Sequence, residues 1–309
     1  MNADHPSMNA GGVAGLESRS REFSALRLLQ WSLLRELWEY RSIYLAPAIA
    51  AAIFLFGYLA SLFRFPARMR VALAMEPMQR MAELWRPYTF AALLMMGTML
   101  VVAVIYSIDA LHGERRDRSI LFWKSMPVSD VMAAIAKAAI PIVVLPLTGF
   151  VATLAMQWLM LLMSSAALLA SGMSPSFLWT QMGWAQSSLM LFFHMMLLHG
   201  LWYAPFYGWL LLVSAWARRG VLMWASLPLL LIGGVEKIAL NTSRFAELLG
   251  HRFSGGSDPF PVHGDMAMHM VPVDQLGAFL ARPGLWAGLA LTAVFLALAV
   301  RLRRDQGPI

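Results

Sequence analysis

Two histidines in a long apolar stretch, His194 and His199, are the first residues of this chain that could do chemistry. In an α-helix, residues five apart differ by about 140° in direction, so these two imidazole rings would not face one metal ion together. Each ring could satisfy a hydrogen bond inside a helical bundle, or one of them could line a polar passage. The spacing therefore predicts no joint metal site.

Acidic and sulfur-containing candidates lie further along the chain. Glu236 and Lys237 close an apolar run, and as sequence neighbours they point to different sides of a helix, so they do not form a direct pair. Glu236 could extend to the membrane surface or act at an outer gate. A group of soft ligands follows at His263, Met266, Met268, His269 and Met270. These side chains would suit copper, but Met occurs 23 times throughout the chain, so its presence here does not single out a metal site.

Several catalytic chemistries are excluded by residues that the chain lacks. With no Cys, it can form no disulfide, Cys-ligated zinc site, iron–sulfur cluster or thiol nucleophile. Its three lysines, Lys124, Lys137 and Lys237, follow Trp, Ala and Glu, so none belongs to a G-x-x-x-x-G-K-[ST] phosphate loop. No Ser-His-Asp arrangement or HExxH helix is recognisable. The sequence therefore predicts no catalytic residue and no cofactor in this chain.

The composition indicates a membrane protein. Of the 309 residues, 59% are hydrophobic and 13% are charged, about half the charged share of an ordinary soluble domain. A charged side chain at the bilayer centre costs a few kcal/mol, whereas Leu, Ile, Phe and Val are favoured there. Charge-free runs occur at 42–63, 87–108, 138–217, 220–235 and 283–300.

Six transmembrane helices account for these runs. The run 138–217 is too long for one crossing of a core about 30 Å thick, and the turn-rich segment 171–176 divides it in two. The predicted spans are 43–63, 88–108, 140–166, 187–213, 219–239 and 284–301. We therefore expect an all-α polytopic membrane protein whose transmembrane domain covers 43–301, with a cytoplasmic loop at 109–137 and an external loop at 240–282.

Basic residues indicate the orientation. Six spans put both termini on one side, and most of the 24 Lys and Arg residues lie there, so the positive-inside rule predicts cytoplasmic termini. We expect residues 1–21 to be a flexible polar tail without a cleavable signal peptide, and 302–309 to be a second, cytoplasmic tail. We expect a multi-pass protein of the cytoplasmic (inner) membrane of a bacterium. The basic residues fringe the spans instead of forming a stripe, which disfavours nucleic-acid binding. Five arginines oppose the bias, namely Arg64, Arg68, Arg70, Arg80 and Arg86.

An amphipathic helix is predicted at 22–42, before the first span. Its apolar face contains Leu26, Leu29, Leu33, Leu37 and Tyr40, widened by Trp31, Leu34 and Trp38. The opposite arc contains Ser32, Arg35, Glu36 and Glu39. Tryptophan suits the headgroup level, so this helix would lie in the membrane interface. It could be a simple anchor, or its polar arc could dock a cytoplasmic partner.

The loop 109–137 carries the densest charge. A mixed-charge run, Glu114-Arg115-Arg116-Asp117-Arg118, precedes a short apolar and aromatic helix at 120–126, which Pro127 ends. Ser129 or Asp130 can cap the next helix, at 131–137. This short helix could lie on lipid or enter a groove of another protein. The charges before it favour the second, because a polar rim around an aromatic knob is typical of protein interfaces.

Three segments, taken in order, resemble the permease subunits of type-2 ATP-binding-cassette exporters. They are Arg35-Glu36-Leu37-Trp38-Glu39-Tyr40-Arg41, Glu114-Arg115-Arg116-Asp117-Arg118-Ser119 and Lys124-Ser125-Met126-Pro127-Val128-Ser129, followed by Lys137. In that family a Glu-Arg or Glu-Lys pair, a short coupling helix, a Pro-Val/Leu-Ser step and a Lys before the third span recur in this order. Asp117-Arg118-Ser119-Ile120 stands where many members have a Gly-Thr pair.

The resemblance implies a permease with six spans, an interfacial helix and a cytoplasmic coupling helix. Two permease copies, identical or different, would each seat residues 120–126 in a cleft of a separate nucleotide-binding subunit, which holds ATP and Mg²⁺. The residues expected at that contact are Arg35, Glu36, Glu39, Glu114, Arg115, Arg116, Asp117, Arg118, Phe122, Trp123, Lys124, Met126 and Pro127. A translocation path or gate would involve His194, His199 or Glu236. A short re-entrant helix before the last span could include 275–280.

Three functional hypotheses follow. The first is a permease subunit that moves a substrate with energy from ATP hydrolysed on a partner chain. The second is an intramembrane enzyme or lipid-modifying protein that uses His194 and His199 as catalytic groups. The third is an assembly or receptor protein that uses the loop for docking without transport.

Overall fold

The computed structural model describes residues 27–121, 129–253 and 276–305, and all regular secondary structure in these ranges is helical. The helices up to the third span are α1 (27–39), α2 (Ser42–Ser61), α3 (Phe65–Leu73), α4 (Pro77–Asp109), α5 (His112–Arg116), α6 (119–121), α7 (Asp130–Ala139) and α8 (Leu145–Ala170). The remainder are α9 (Ser176–Thr180), α10 (Trp184–His194), α11 (Ala204–Trp216), α12 (Val221–Leu240), α13 (Arg244–Phe253), α14 (Leu276–Leu280) and α15 (Pro283–Asp305). A 3₁₀ turn, Leu62–Arg64, joins α2 to α3.

Five continuous helical segments are long and apolar enough to cross a membrane. They are Ser42–Leu73, Pro77–Arg116, Asp130–Ala170, Val221–Leu240 and Pro283–Asp305. A sixth candidate consists of Trp184–Trp202 and Ala204–Trp216, which are bent by 43° relative to each other. The coarse prediction, an all-helical chain with several helices of membrane-spanning length, is confirmed for the described residues.

The helices extend beyond the predicted spans. α4 begins at Pro77, well before residue 88, and its 33 residues make it about 50 Å long, more than a bilayer core requires. The third span begins with α7 at Asp130, where the Ser129 hydroxyl accepts a hydrogen bond from the Met132 amide, as predicted for a cap at this position. A charge-free run locates the apolar part of a helix. The ends of the helix carry charged residues, so a prediction based on the absence of charge makes the helix too short.

The two larger hydrophobic cores of the described residues hold the bundle together. One joins α4, α11 and α15 around Tyr106, Tyr207 and Leu285. α11 and α15 approach so closely that a Cβ atom at Gly208 would lie 3.2 Å from the Thr292 methyl group. The other core joins α2, α3, α4 and α8 around Tyr58 and its neighbours. α4 passes through both cores and so links the two ends of the protein.

Two spans are only lightly covered by the rest of the chain. α12 has only two buried residues, Val221 and Ala225. Its exposed apolar side chains include Leu222, Leu230, Leu231, Val235 and Ile238. α2 has three buried residues and also exposes Ile53 and Phe56. Both helices therefore present apolar surface to whatever surrounds the chain.

The first helix differs from its prediction in one respect. Leu33, Leu37 and Tyr40 pack against the core, whereas Trp31 and Trp38 are exposed. Glu36 was expected on the outward polar arc, but its side chain is only 2% exposed, so that expectation is wrong. On a helix Glu36 lies only about 40° from Tyr40, because four residues advance about one turn. It therefore shares the face that points into the bundle.

Candidate functional site

A cluster of buried charges lies where α1, α5, α7 and α15 meet. We call it the ion cluster; its members are Arg35, Glu36, Glu114, Asp130, Lys137 and Arg303. They come from four helices that are far apart in sequence, and these helices converge at the end of the bundle where α4 ends. The positions of the helices, and not local sequence, bring the charges together.

Glu36 connects α1 to α7 and α4. Lys137 Nζ donates to Glu36 Oε1 at 2.9 Å, and the Tyr106 hydroxyl donates to Glu36 Oε2 at 2.7 Å. The side chains of Glu36 and Lys137 are each 2% exposed. Both carboxylate oxygens are therefore satisfied in a site that water barely reaches.

Glu114 is the centre of the cluster. Its Oε1 accepts a hydrogen bond from Arg35 at 2.9 Å and lies 3.1 Å from Lys137 Nζ. Its Oε2 accepts a hydrogen bond from the Arg303 guanidinium. Arg303 Nε also donates to Asp130 Oδ1 at 3.0 Å. One carboxylate of α5 thus contacts cations from three separate elements.

The six members comprise three cations and three carboxylates, and Arg35 also pairs with the exposed Glu39 carboxylate at 3.2 Å. Burying an isolated charge is costly, and an ion pair offsets that cost only when further hydrogen bonds satisfy its remaining donors and acceptors. Here every carboxylate has more than one partner or lies at the partly exposed edge, where Asp130 is. Removal of one cation would leave a buried carboxylate with one counterion fewer.

The edge of the cluster reaches Tyr40 and Asp109. The Tyr40 hydroxyl donates to Asp109 Oδ2 at 3.3 Å. Burial and the nearby carboxylates, Asp109 foremost, raise the pKa of Tyr40. Burial alone would lower the pKa of Arg35, but the carboxylates of Glu36, Glu114 and Glu39 outweigh it and raise that pKa. Both groups stay in one protonation state at neutral pH.

The segment around α5 is also fixed to the end of α11. The Ser214 hydroxyl oxygen accepts hydrogen bonds from the amides of Leu111 and His112, at 3.1 and 2.9 Å. Arg115 donates to the Ala215 carbonyl at 2.6 Å, and His112 Nδ1 donates to the Ala217 carbonyl at 3.1 Å. α5 is therefore held on one side by ion pairs and on the other by the carboxyl end of α11.

The residues predicted to contact a partner divide into three groups. Glu36, Glu114 and Arg115 are buried and bonded within the chain, so in this conformation their side chains do not reach the surface. Glu39, Arg116, Asp117 and Arg118 are exposed around them, while Arg35 is partly buried. Phe122, Trp123, Lys124, Met126 and Pro127 lie outside the described residues.

Three participants in this network could not be predicted as such from the sequence. They are Arg303 in the C-terminal region, Asp130, which was predicted only as a possible cap, and Tyr106 in an apolar run. A usable signal was the presence of acidic and basic residues at the ends of several apolar runs, since charges at such positions in a bundle tend to pair.

The two histidines are closer than their spacing predicted. Their ring centroids are 5.9 Å apart, so the expectation that they point to different sides is wrong. The cause is a π-helix at Met195–Trp202, in which hydrogen bonds join residues i and i+5 and five residues make nearly a full turn. Both rings are buried, and neither Nδ1 has a hydrogen-bond partner in the described part of the chain.

The described residues contain no group of three or more His, Asp or Glu side chains able to hold a metal ion. The soft-ligand group at 263–270 lies in the range that the structure does not describe. Glu236 has a local role instead: its carboxylate accepts hydrogen bonds from the Thr242 hydroxyl and from the amides of Arg244 and Phe245, at 2.7 to 2.8 Å. It thereby caps the start of α13 and fixes the turn after α12.

Comparison of this chain with protein-family models, with curated proteins and with solved structures finds no match.

Proposed function

We propose that this chain is the permease subunit of an ATP-binding-cassette exporter. It moves a substrate across the cytoplasmic membrane of a bacterium, with both termini in the cytoplasm, and a separate nucleotide-binding subunit holds ATP and Mg²⁺ and hydrolyses the nucleotide. The observation that carries the proposal is the attachment of α5, which directly precedes the predicted coupling helix, to four other elements at once.

That attachment supports a mechanical role. α5 is bonded to α1 through Arg35, to α7 through Lys137 and to α15 through Arg303. It is bonded to α11 through the Ser214 hydroxyl. A loop that only connects two spans needs no such ties. A displacement of residues 120–126 by a partner would pass through α5 to several spans together, as a rigid-body movement.

The exposed surface near α5 is suitable for a partner. Arg116, Asp117 and Arg118 form a charged edge, and Leu121, at the last described position of α6, is 57% exposed. Ile120 is buried and holds the beginning of α6 against the bundle. In the proposal, the buried Glu36 and Glu114 transmit movement, while Glu39 and the exposed edge contact the nucleotide-binding subunit.

A second permease copy would cover the lightly packed α12. The apolar residues of α12 leave a large surface available, and an obligate membrane dimer needs such a surface. The two buried histidines would then lie in the interior of one subunit, where they supply polar groups to a translocation path.

The proposal is tested by purifying the tagged chain with its co-expressed genomic neighbours and measuring ATP hydrolysis and ATP-dependent flux in proteoliposomes. Trp123→Ala removes the predicted knob of the coupling helix and is expected to abolish the recovery of ATPase activity with the chain. Trp286→Ala, a matched change on α15 at an exposed ring, is expected to retain it. Equal ATPase recovery for both variants would contradict the coupling assignment.

The second hypothesis gains one observation, the proximity of the two imidazole rings. As catalytic groups, His194 and His199 would support turnover in the purified chain without an ATPase, and His199→Ala would abolish turnover while leaving assembly intact. ATP hydrolysis by the complex without flux would favour the docking hypothesis over transport.

A further inference from the structure

A groove opens between α2, α3 and α4, at the end of these helices opposite to the ion cluster. Its volume is about 410 Å³, and its apolar walls include Ile53, Phe90 and Leu93. Gly57 also lines it, and a Cβ atom there would have no neighbour within 4 Å, so the groove is open across the surface of α2. A space of this size is typical of sites for small molecules.

The rim of this groove is positively charged. Arg68, Glu83 and Arg86 line it, and Arg86 forms an exposed pair with Glu83 at 3.3 Å. Arg68 lies over the Phe65 ring, 5.9 Å from its centroid, and no described carboxylate lies within 4 Å of it. Nearby Arg80 is already used, because it donates to the carbonyls of Leu73 and Met75.

The surrounding segment has an excess of basic residues. Between positions 64 and 86 the chain has five arginines and only two carboxylates, Glu76 and Glu83. These are the arginines that oppose the positive-inside bias. The permease proposal gives them no role, and the ion cluster lies at the other end of the bundle.

We infer that this groove binds an anionic phospholipid, with the phosphate at Arg68 and Arg86 and an acyl chain along Ile53, Gly57 and Phe90. Guanidinium groups bind phosphate oxygens through paired, charge-assisted hydrogen bonds, and an apolar wall shields hydrocarbon. A small soluble anion would make no contact with the apolar walls, and the two cations would attract a zwitterionic headgroup less strongly than an anionic one. The inference does not rest on the proposed transport function.

Charge also argues against a second copy of this chain as the occupant. In a two-fold contact centred on the groove the same patch meets itself, so Arg68, which has no described carboxylate within 4 Å, would face its own copy. An anionic lipid meets the same rim with opposite charge. The groove is therefore better matched by lipid than by protein of the same sequence.

The test uses the full chain in nanodiscs of phosphatidylcholine with about one-fifth phosphatidylglycerol, a common anionic lipid. Phosphatidylglycerol with a photoreactive acyl chain is the probe, and the labelled peptides are identified by mass spectrometry. Label is expected on residues 53–61 and 83–93, and phosphatidylcholine with the same photoreactive chain is expected to label them less.

Two variants separate headgroup from chain. The double variant Arg68→Gln with Arg86→Gln removes the headgroup site. Gly57→Leu fills the groove without changing its charge. Each of these two variants is expected to reduce labelling about fivefold or more. Arg70→Gln, an exposed residue of α3 outside the groove, and Gly97→Leu, an open position on α4, are the matched controls. The controls are expected to label as the unmodified chain does, and each variant must elute as the unmodified chain does.

Three results would overturn the inference. Equal labelling by both lipids, insensitive to the arginines, indicates only the general lipid shell. Displacement of the probe by millimolar inorganic phosphate indicates a free-anion site. Since the chain has no Cys, Thr89→Cys at the groove can report a second copy: efficient disulfide cross-linking of two chains in the membrane would make this face a dimer contact.

Discussion

The two ends of the helical bundle use charge in opposite ways. At one end, the ion cluster buries three cations and three carboxylates with nearly complete pairing. At the other end, the arginines that line the α2–α4 groove are exposed. Among the described residues, the one ion pair that these arginines form joins Arg86 to Glu83. The same residue types therefore join helices at one end and leave positive charge available to a ligand at the other.

The difference follows from burial. Between buried groups the effective dielectric constant is low, so pairs attract strongly and an unpaired charge is penalised heavily. Between exposed groups, water and salt weaken the attraction, and each pair contributes little. Mutations that disrupt the ion cluster should therefore affect the stability of the fold, whereas mutations at the groove should affect binding.

The largest expected effect is that of Lys137→Met. It removes the cation between Glu36 and Glu114, whose side chains are 2% and 1% exposed, and leaves both with one counterion fewer. We expect a loss of about 3–5 kcal/mol in the free energy of unfolding, measured by titration of the purified chain from mild detergent into denaturing detergent.

The matched control for that change is Arg86→Gln, which removes the cation of the exposed pair. Its expected cost is at most about 1 kcal/mol. Adding Glu36→Gln to Lys137→Met should recover part of the loss, because Glu36 then no longer carries a buried charge that has lost its nearest counterion. If Lys137→Met and Arg86→Gln lowered the free energy of unfolding by similar amounts, the proposed difference between the two ends would be contradicted.

Next in size is the contrast between two buried tyrosines, one at each end. The Tyr106 hydroxyl donates to the Glu36 carboxylate at 2.7 Å, whereas the Tyr58 hydroxyl is bonded to the Ser164 hydroxyl at 2.6 Å. Hydrogen bonds to charged groups contribute about 1.5–3 kcal/mol and neutral ones about 0.5–1.5 kcal/mol. Tyr106→Phe should therefore lower the free energy of unfolding about twice as much as Tyr58→Phe, and a reversed order would contradict this account.

A smaller effect is expected of Ser214→Ala, which removes the acceptor for two backbone amides. Leaving buried donors unsatisfied costs about 1–3 kcal/mol in total, and α5 should detach from α11 more often. Faster hydrogen exchange of residues 111–116 would report this. The control is Ser226→Ala, because the exposed Ser226 hydroxyl donates only to carbonyls of its own helix and should have almost no effect.

The positions of the helices could be predicted from the sequence better than the contacts of the ion cluster. The spans follow from composition, because a lipid environment penalises charge along the whole helix, and the break at 171–176 follows from its turn residues. The start of α4 at Pro77 could not be predicted from the charge-free runs, since charged residues extend past the apolar core, whereas the cap predicted at Ser129 or Asp130 marks the start of α7. The ion pairs between distant segments could not be predicted either. Nothing in the sequence around Arg303 indicates that its guanidinium contacts the Glu114 carboxylate.

The histidines show a second limit of sequence reasoning. The α-helical angle used for His194 and His199 failed because the backbone changes to a π-helix at Met195. The backbone of a neighbouring helix lies very close to this segment. A Cβ atom at Gly200 would overlap the carbonyl oxygen of Ile142, which lies in a second π-helical turn at Ile140–Val144. Such close backbone contact depends on tertiary packing, and hydrophobic periodicity does not reveal it.

The smallest predicted effect concerns the exposed turn between α5 and α6. Arg118 has φ of 59°, the left-handed region that glycine adopts without penalty, and it stands in the segment where the resembled family often has a glycine. Arg118→Gly removes steric strain but gives the unfolded chain more freedom, so we expect a net gain of about 0.5–1 kcal/mol in thermal unfolding experiments. Arg116→Gly, two residues earlier at the last residue of α5, should lower stability slightly, because it removes the exposed ion pairs with Asp109 and Asp117 and no residue there has a positive φ to relieve. If both changes destabilise the chain alike, the left-handed turn does not persist in the membrane-embedded protein, and the rigid link between α5 and the coupling segment would have to be abandoned.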